Sequence, residues 1–242
     1  MAYASLDATI GTPQFSVAGL CDTPLAKVTL GIPQQVVDQY WGGAEVMYVQ
    51  YPLSQAVKVG AIMCWDTVTP FVASLIANTT LLGKAVGFAL NACASSTTAQ
   101  FGWVLISGQT PVWCSATVAA NTAFGIVAAG QGGALAAGKQ INGARVVLPA
   151  TTTVAKQANT VSGSPNIQVL NYDGWFVGMA VSGTGIAASS VVTVLGQDRN
   201  TVTLNNNATA SGNVAVTGTY NDATNFWNVV VADRPQAQGP IT

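Results

Sequence analysis

Histidine is absent from the 242 residues, and only 7% of them are charged. Globular chains average roughly a quarter charged residues. Without histidine there is no Ser-His relay, no His-ligated zinc, and no acid–base work by the side chain that titrates nearest neutrality. The formal charge of −1 offers no positive sheath for a phosphate backbone, which excludes nucleic acid as an expected partner. Long apolar runs are missing too. A spanning helix needs about 20 mostly apolar residues, and here glycines, Pro70, and Thr, Ser or Asn interrupt every stretch. No membrane association is therefore expected. The opening MAYASLDATIGTP has neither a basic nor an apolar region, so it does not read as a signal peptide. Cys21, Cys64, Cys93 and Cys114 are widely spaced, with no C-x-x-C. They are expected to be reduced and buried as small apolar residues, although a disulfide between two of them stays open at this level.

What is abundant is Ala, Val, Thr, Gly, Ser and Asn. A chain that dispenses with Lys, Glu, Asp and Arg either covers its surface with copies or partners, or shows solvent a neutral hydroxyl and amide face. Both are habits of assembled structural proteins.

The pattern is all-β. Residues 1–44 are crowded with turn formers and read as an extended N-terminal arm, with a short helical or strand segment near 34–40. Residues 45–148 read as a compact barrel or sandwich domain. Residues 149–165 are polar and read as a linker, 166–232 as a second, small antiparallel module, and 233–242 as a tail. Along 45–51, Val46 and Tyr48 fall on one face and Met47, Val49 and Tyr51 on the other, so the strand must be covered on both. Residues 101–107 are aromatic and β-branched, again strand. The Ala-rich stretch 116–138 is broken by Gly125, Gly130, Gly132 and Gly133, each costing about 1 kcal/mol inside a helix, so short strands and turns are expected. In the second module, residues 190–195 and 201–205 flank a five-residue hairpin loop. Val202 and Leu204 point inward, as do Val214 and Val216 on the next strand, and the three segments together read as a meander.

The motif search returns near misses. Residues 133–140 approach G-x-x-x-x-G-K-[ST], but the last position is Gln140 and no helix follows. Gly183-Thr184-Gly185 opens a G-x-G-x-x-A followed by a strand, where a dinucleotide loop needs a helix. The nine carboxylates are scattered through turn-like contexts and form no shared motif. No catalytic residue, cofactor or metal site is expected. Asn78-Thr79-Thr80 and Asn207-Ala208-Thr209 match the N-glycosylation pattern but read as turns. Trp65 and Trp103 sit in apolar strand patterns and read as core. Tyr40 and Trp41, beside Gly42-Gly43, together with the faces around Tyr48 and Tyr51, are the expected interface residues, since aromatics anchor contacts.

Several stretches carry a resemblance. Glu45 to Val49, Asp66, Val86-Gly87-Phe88-Ala89, Phe101-Gly102-Trp103-Val104 with Gly108, and Ala129-Gly130 together resemble the decoration (cement) proteins of tailed-bacteriophage capsids. Residues 178–186, 191–193, 201–204 and 210–212 resemble a β repeat found in many phage structural proteins. The resemblance implies a non-enzymatic all-β protein on the outer surface of the virion head, made in the host cytoplasm. It would be a homotrimer that holds the major capsid protein subunits together. A tail or fibre component that binds a host surface, and a polysaccharide-degrading enzyme, are the competing expectations.

Overall fold

A computed structural model describes residues 4–5, 29–65, 71–76, 83–196, 198–222 and 224–237. Every regular element among them is a strand, so the fold is all-β, as expected. Two bodies of sheet are present. The larger joins eleven strands: β1 (Ala4–Ser5), β2 (Pro33–Asp38), β3 (Gly42–Gln50), β4 (Ile62–Trp65), β5 (Ala73–Leu75), β6 (Val86–Ala89), β7 (Phe101–Cys114), β8 (Phe124–Ala128), β9 (Gln131–Ala134), β10 (Ile141–Leu148) and β17 (Phe226–Ala237). The smaller is a closed six-stranded barrel of β11 (Thr153–Thr160), β12 (Asn166–Val169), β13 (Ala180–Gly183), β14 (Ser190–Leu195), β15 (Thr201–Leu204) and β16 (Gly212–Thr219), in the order β11-β12-β15-β14-β13-β16.

Strand β7 organises the larger sheet. Its first half pairs antiparallel with β3, from Gln50↔Phe101 to Glu45↔Ser107. Its second half pairs antiparallel with β17, from Asp233↔Ser107 to Phe226↔Cys114. The handover falls at Gly108, where φ is +117° and a Cβ would lie 2.6 Å from the Ala44 Cβ. A side chain there meets both backbone strain and a clash, so glycine lets β7 change partners.

The alternation in β3 is realised on both faces. Val46 and Tyr48 enter one buried cluster with Ile62, Phe88, Leu105 and Phe124. Met47, Val49 and Tyr51 enter a second with Met63, Val104 and Ile106. Trp103 is core as expected, and Trp65 is half-buried against the second cluster. The first cluster continues without a break into the barrel, to Ile167, Val202, Leu204 and Val216. The inward positions expected for the second module therefore hold, and the loop between β14 and β15 spans the expected residues. Residues 116–138 form turns and the β8–β9 hairpin. Gly183 ends β13 and Gly185 sits in the turn that follows, where the Ile186 N–H donates to the Gly183 carbonyl at 3.2 Å.

Three boundaries differ from the expectation. The linker 149–165 contains β11, which pairs with β16 through eight residues, Thr153↔Thr219 to Thr160↔Gly212. Its inward positions are small or polar, Ala158 at 1% exposure and Thr160 at 4%, so the burial signal is faint. The Thr160 hydroxyl is satisfied by the Ala210 carbonyl at 2.8 Å. Next, β17 belongs to the larger sheet, between β7 and β10, and runs on through Ala237 into the expected tail. Pro235 is tolerated because the β10 pairing is irregular between Asn142 and Ala144, where no ladder N–H is required of it. Finally, residues 33–44 form the β2–β3 hairpin, Val36↔Ala44, and so are part of the sheet and not a free arm. The segment near 34–40 is strand. Residues 6–28 of the arm, Cys21 and Asn78-Thr79-Thr80 lie outside the described residues.

Candidate interface surfaces

Burial decides among the four aromatic interface candidates. Trp41 is 4% exposed, Tyr48 1% and Tyr51 0%. Tyr48 packs on Trp103 at 4.9 Å between ring centroids and on Phe101 at 6.3 Å. The Tyr51 hydroxyl donates to the Trp103 carbonyl at 2.9 Å. These three side chains are spent inside the chain, a correction to the expectation that they face a partner. The strand is apolar on both faces because both faces are internal.

Tyr40 is 44% exposed but is also committed. Asp38 Oδ1 accepts from the Tyr40 and Trp41 backbone N–H groups at 2.8 and 2.9 Å, fixing the turn. The Tyr40 ring lies over Gly174 of the barrel, where a Cβ would sit 3.1 Å from Cζ. Nearby, the Tyr220 hydroxyl donates to the Gly174 carbonyl at 3.0 Å. Burial, and then its neighbour Tyr40, push the Tyr220 phenol far above its ordinary value. Tyr40 therefore closes a seam within one chain.

Exposed apolar side chains occur singly at Ile32, Leu53, Val161, Leu170 and Val194, and several share one hairpin. In the β8–β9 hairpin, residues 127–129 and 134–137 are all exposed, and each is Val, Ala or Leu. Val127 is 38% exposed and Leu135 50%. The hairpin's turn is anchored, with the Gly130 N–H donating to the Ile76 carbonyl at 2.9 Å and the Gly130 carbonyl accepting from Ile62 N–H at 2.8 Å. The patch is thus carried on a fixed support. Composition pointed only to short strands and turns here; the one available signal was an Ala-rich run without a charged residue between Ala116 and Gly138.

A second surface is neutral. The barrel strands and loops from 153 to 219 contain four charged residues, Lys156, Asp173, Asp198 and Arg199. Three of them meet at one end: Arg199 pairs with Asp173, and Lys156 Nζ donates to Asn171 Oδ1 at 2.8 Å. Partial burial lowers the Lys156 ammonium pKa, and Asp173 opposes that shift. The outward ladder of β11 and β16 is left to Gln157↔Ala215 and Asn159↔Asn213. There the Asn213 amide donates to Asn159 Oδ1 at 2.7 Å.

A depression of about 430 Å³ is lined by Ser182, Ser189, Thr219, Asn221 and Asp222, among others. Its carboxylate is engaged. Partial burial works to raise the Asp222 pKa, but hydrogen bonds from Asn225 and Thr224 outweigh it and hold the group ionised below the usual range. Among the described residues no three His, Cys, Asp or Glu side chains gather as a metal site, and no helix is long and apolar enough to cross a membrane.

Cys64, Cys93 and Cys114 are buried and form no disulfide with one another. Burial pushes the Cys114 thiol from 9.0 to about 11, against hydrogen bonds from Asn228 that lower it. The unfolded chain then releases this proton near pH 9 while the folded chain keeps it. Its contribution is fully present below pH 9 and is lost as pH rises toward 11, by up to about 2–3 kcal/mol. Urea unfolding at pH 8 and pH 10.5 should show a smaller alkaline loss in Cys114→Ala than in the parent chain.

Compared with known proteins, the chain matches no family model, no curated protein and no solved structure.

Proposed function

We propose that this chain is a structural virion protein, a decoration protein that binds the outer surface of a tailed-phage head and stabilises the shell by non-covalent contacts with the major capsid protein. The observation that carries the reading is the exposed, charge-free β8–β9 patch on an anchored hairpin. Apolar side chains exposed together on a fixed support favour a protein contact. The neutral barrel face and the sequence resemblance support the same reading. A chain that binds only the assembled shell adds its binding free energy to the assembled state, by RT ln(1 + [L]/Kd). No chemistry by the protein is needed.

The barrel's outward ladder of amides and hydroxyls favours a second reading, a tail or fibre component that binds a host glycan. Copy number separates the two. In purified particles the decoration reading expects copies comparable with those of the capsid subunit, and a few copies per particle would favour the tail.

The hairpin supplies a sharper test. Val127→Asp with Leu135→Asp places two charges in the patch at exposed positions, where surface substitutions usually change stability by less than about 0.5 kcal/mol. The expected result is an unchanged melting temperature and shell affinity weaker by about tenfold or more, the scale of a lost contact of 1.4 kcal/mol. Unaltered affinity would remove the hairpin from the contact.

A further inference from the structure

We infer that Lys58 and Asn225 form an intramolecular isopeptide bond, tying the segment before β4 to the start of β17. The two residues are 167 positions apart, and Lys58 Nζ lies 2.7 Å from Asn225 Oδ1. The same oxygen accepts the Trp113 indole N–H at 3.2 Å. The Asn225 amide nitrogen donates to Asp222 Oδ2 at 2.8 Å and to Oδ1 at 3.1 Å. Lys58 Nζ also sits 4.5 Å from the centre of the Trp113 ring. An amine is thereby held against a carboxamide whose oxygen has a donor and whose leaving nitrogen has a carboxylate.

Those are the parts that amide exchange requires. The Lys58 ammonium is exposed and releases one proton to water. The free amine's lone pair attacks Asn225 Cγ, and the carbonyl π electrons move to Oδ1, where the Trp113 N–H stabilises the developing charge. Asp222 takes a second proton from Nζ and delivers it to Nδ2. The C–Nδ2 bond breaks, and ammonia leaves and takes up the first proton's equivalent from water. Lysine ammonium plus carboxamide gives secondary amide plus ammonium ion; nothing is oxidised or reduced. The backbone holds the acid in position, because Asp222 Oδ1 also accepts the Asn225 and Thr224 N–H groups at 2.6 and 3.0 Å. Such a bond would close a loop around most of the chain. That is the kind of constraint a disulfide supplies elsewhere.

Intact-mass spectrometry of the purified full chain, kept folded, tests this. The expected mass is lower than the sequence mass by one ammonia, and digestion should yield a branched peptide joining Lys58 to Asn225. Lys58→Arg keeps the charge, removes the nucleophile and should restore the sequence mass. Asp222→Ala should slow linkage by about a hundredfold, the lower range for a positioned proton-transfer group. Two results would overturn the inference. One is a folded parent chain at its full sequence mass. The other is an ammonia loss that survives in Lys58→Arg, which would place the loss at another asparagine such as Asn142, which precedes Gly143.

Discussion

Asn228→Leu should destabilise the fold by about 3–6 kcal/mol, although leucine repeats asparagine's four heavy atoms and its branching at Cγ. Asn228 is fully buried in β17. Its Oδ1 accepts the Val118 and Ala150 N–H groups, each at 2.9 Å, and its Nδ2 donates to the Ala116 carbonyl at 3.0 Å. One side chain therefore satisfies three backbone groups, two in the turn after β7 and one in the connection that leads into the barrel. Leucine offers no partner to any of them, and each orphaned buried group costs about 1–3 kcal/mol. Urea denaturation is the measurement. A loss below 1 kcal/mol would show that water or backbone adjustment replaces the amide. The predicted loss is a large part of the 5–15 kcal/mol that holds typical domains together.

Phe176→Ala should cost a similar amount, about 3–5 kcal/mol, with a different signature. Phe176 is fully buried between two aromatic rings. The Tyr220 ring at the end of the barrel lies 5.3 Å away, and the Trp227 ring in β17 of the larger sheet lies 5.5 Å away, both edge-on. Trp227 in turn donates its indole N–H to the Val59 carbonyl at 3.2 Å. Truncating the middle ring removes one of the contacts through which barrel and sheet share one core. The expected result is a lower midpoint together with separation of one unfolding transition into two, seen as non-coincident fluorescence and circular-dichroism curves. A single sharp transition with a loss under 1 kcal/mol would mean that the junction draws its strength from elsewhere.

Much of the fold could be read from residue order. The two-faced alternation of β3, the apolar run of β7 and the alternation within β15 and β16 are each local patterns, and large side chains mark the buried positions; the meander expected of residues 190–220 does not form, because β15 pairs with β14 and β12 while β16 pairs with β11 and β13. The misses have physical causes. β11 buries Ala158 and Thr160, so its inward face looks polar to any pattern based on bulk. β17 follows the barrel in sequence yet pairs with β7 and β10, a long-range choice that no local window contains. Tyr48 and Tyr51 read as interface residues because aromatics anchor contacts. In this fold the same chain covers both faces of β3.

The surfaces were less legible than the core. Residues 127–129 and 134–137 are apolar and exposed, and composition cannot distinguish such alanines from buried ones; only the hairpin geometry does so. Lys58 and Asn225 carry no motif in common, and their approach exists only once β17 has docked beside β7. Low charge, by contrast, was visible at once. It motivates the proposed role, since a surface with few charges gives up little solvation when another protein covers it.

The most direct measurement is sedimentation of the purified chain with heads of its own phage that lack it. The decoration account predicts that the chain pellets with the shells, saturates at a copy number comparable with the capsid subunit, and raises the temperature at which those shells disrupt. A chain that stays in the supernatant, leaves shell stability unchanged and instead degrades a polysaccharide would contradict it.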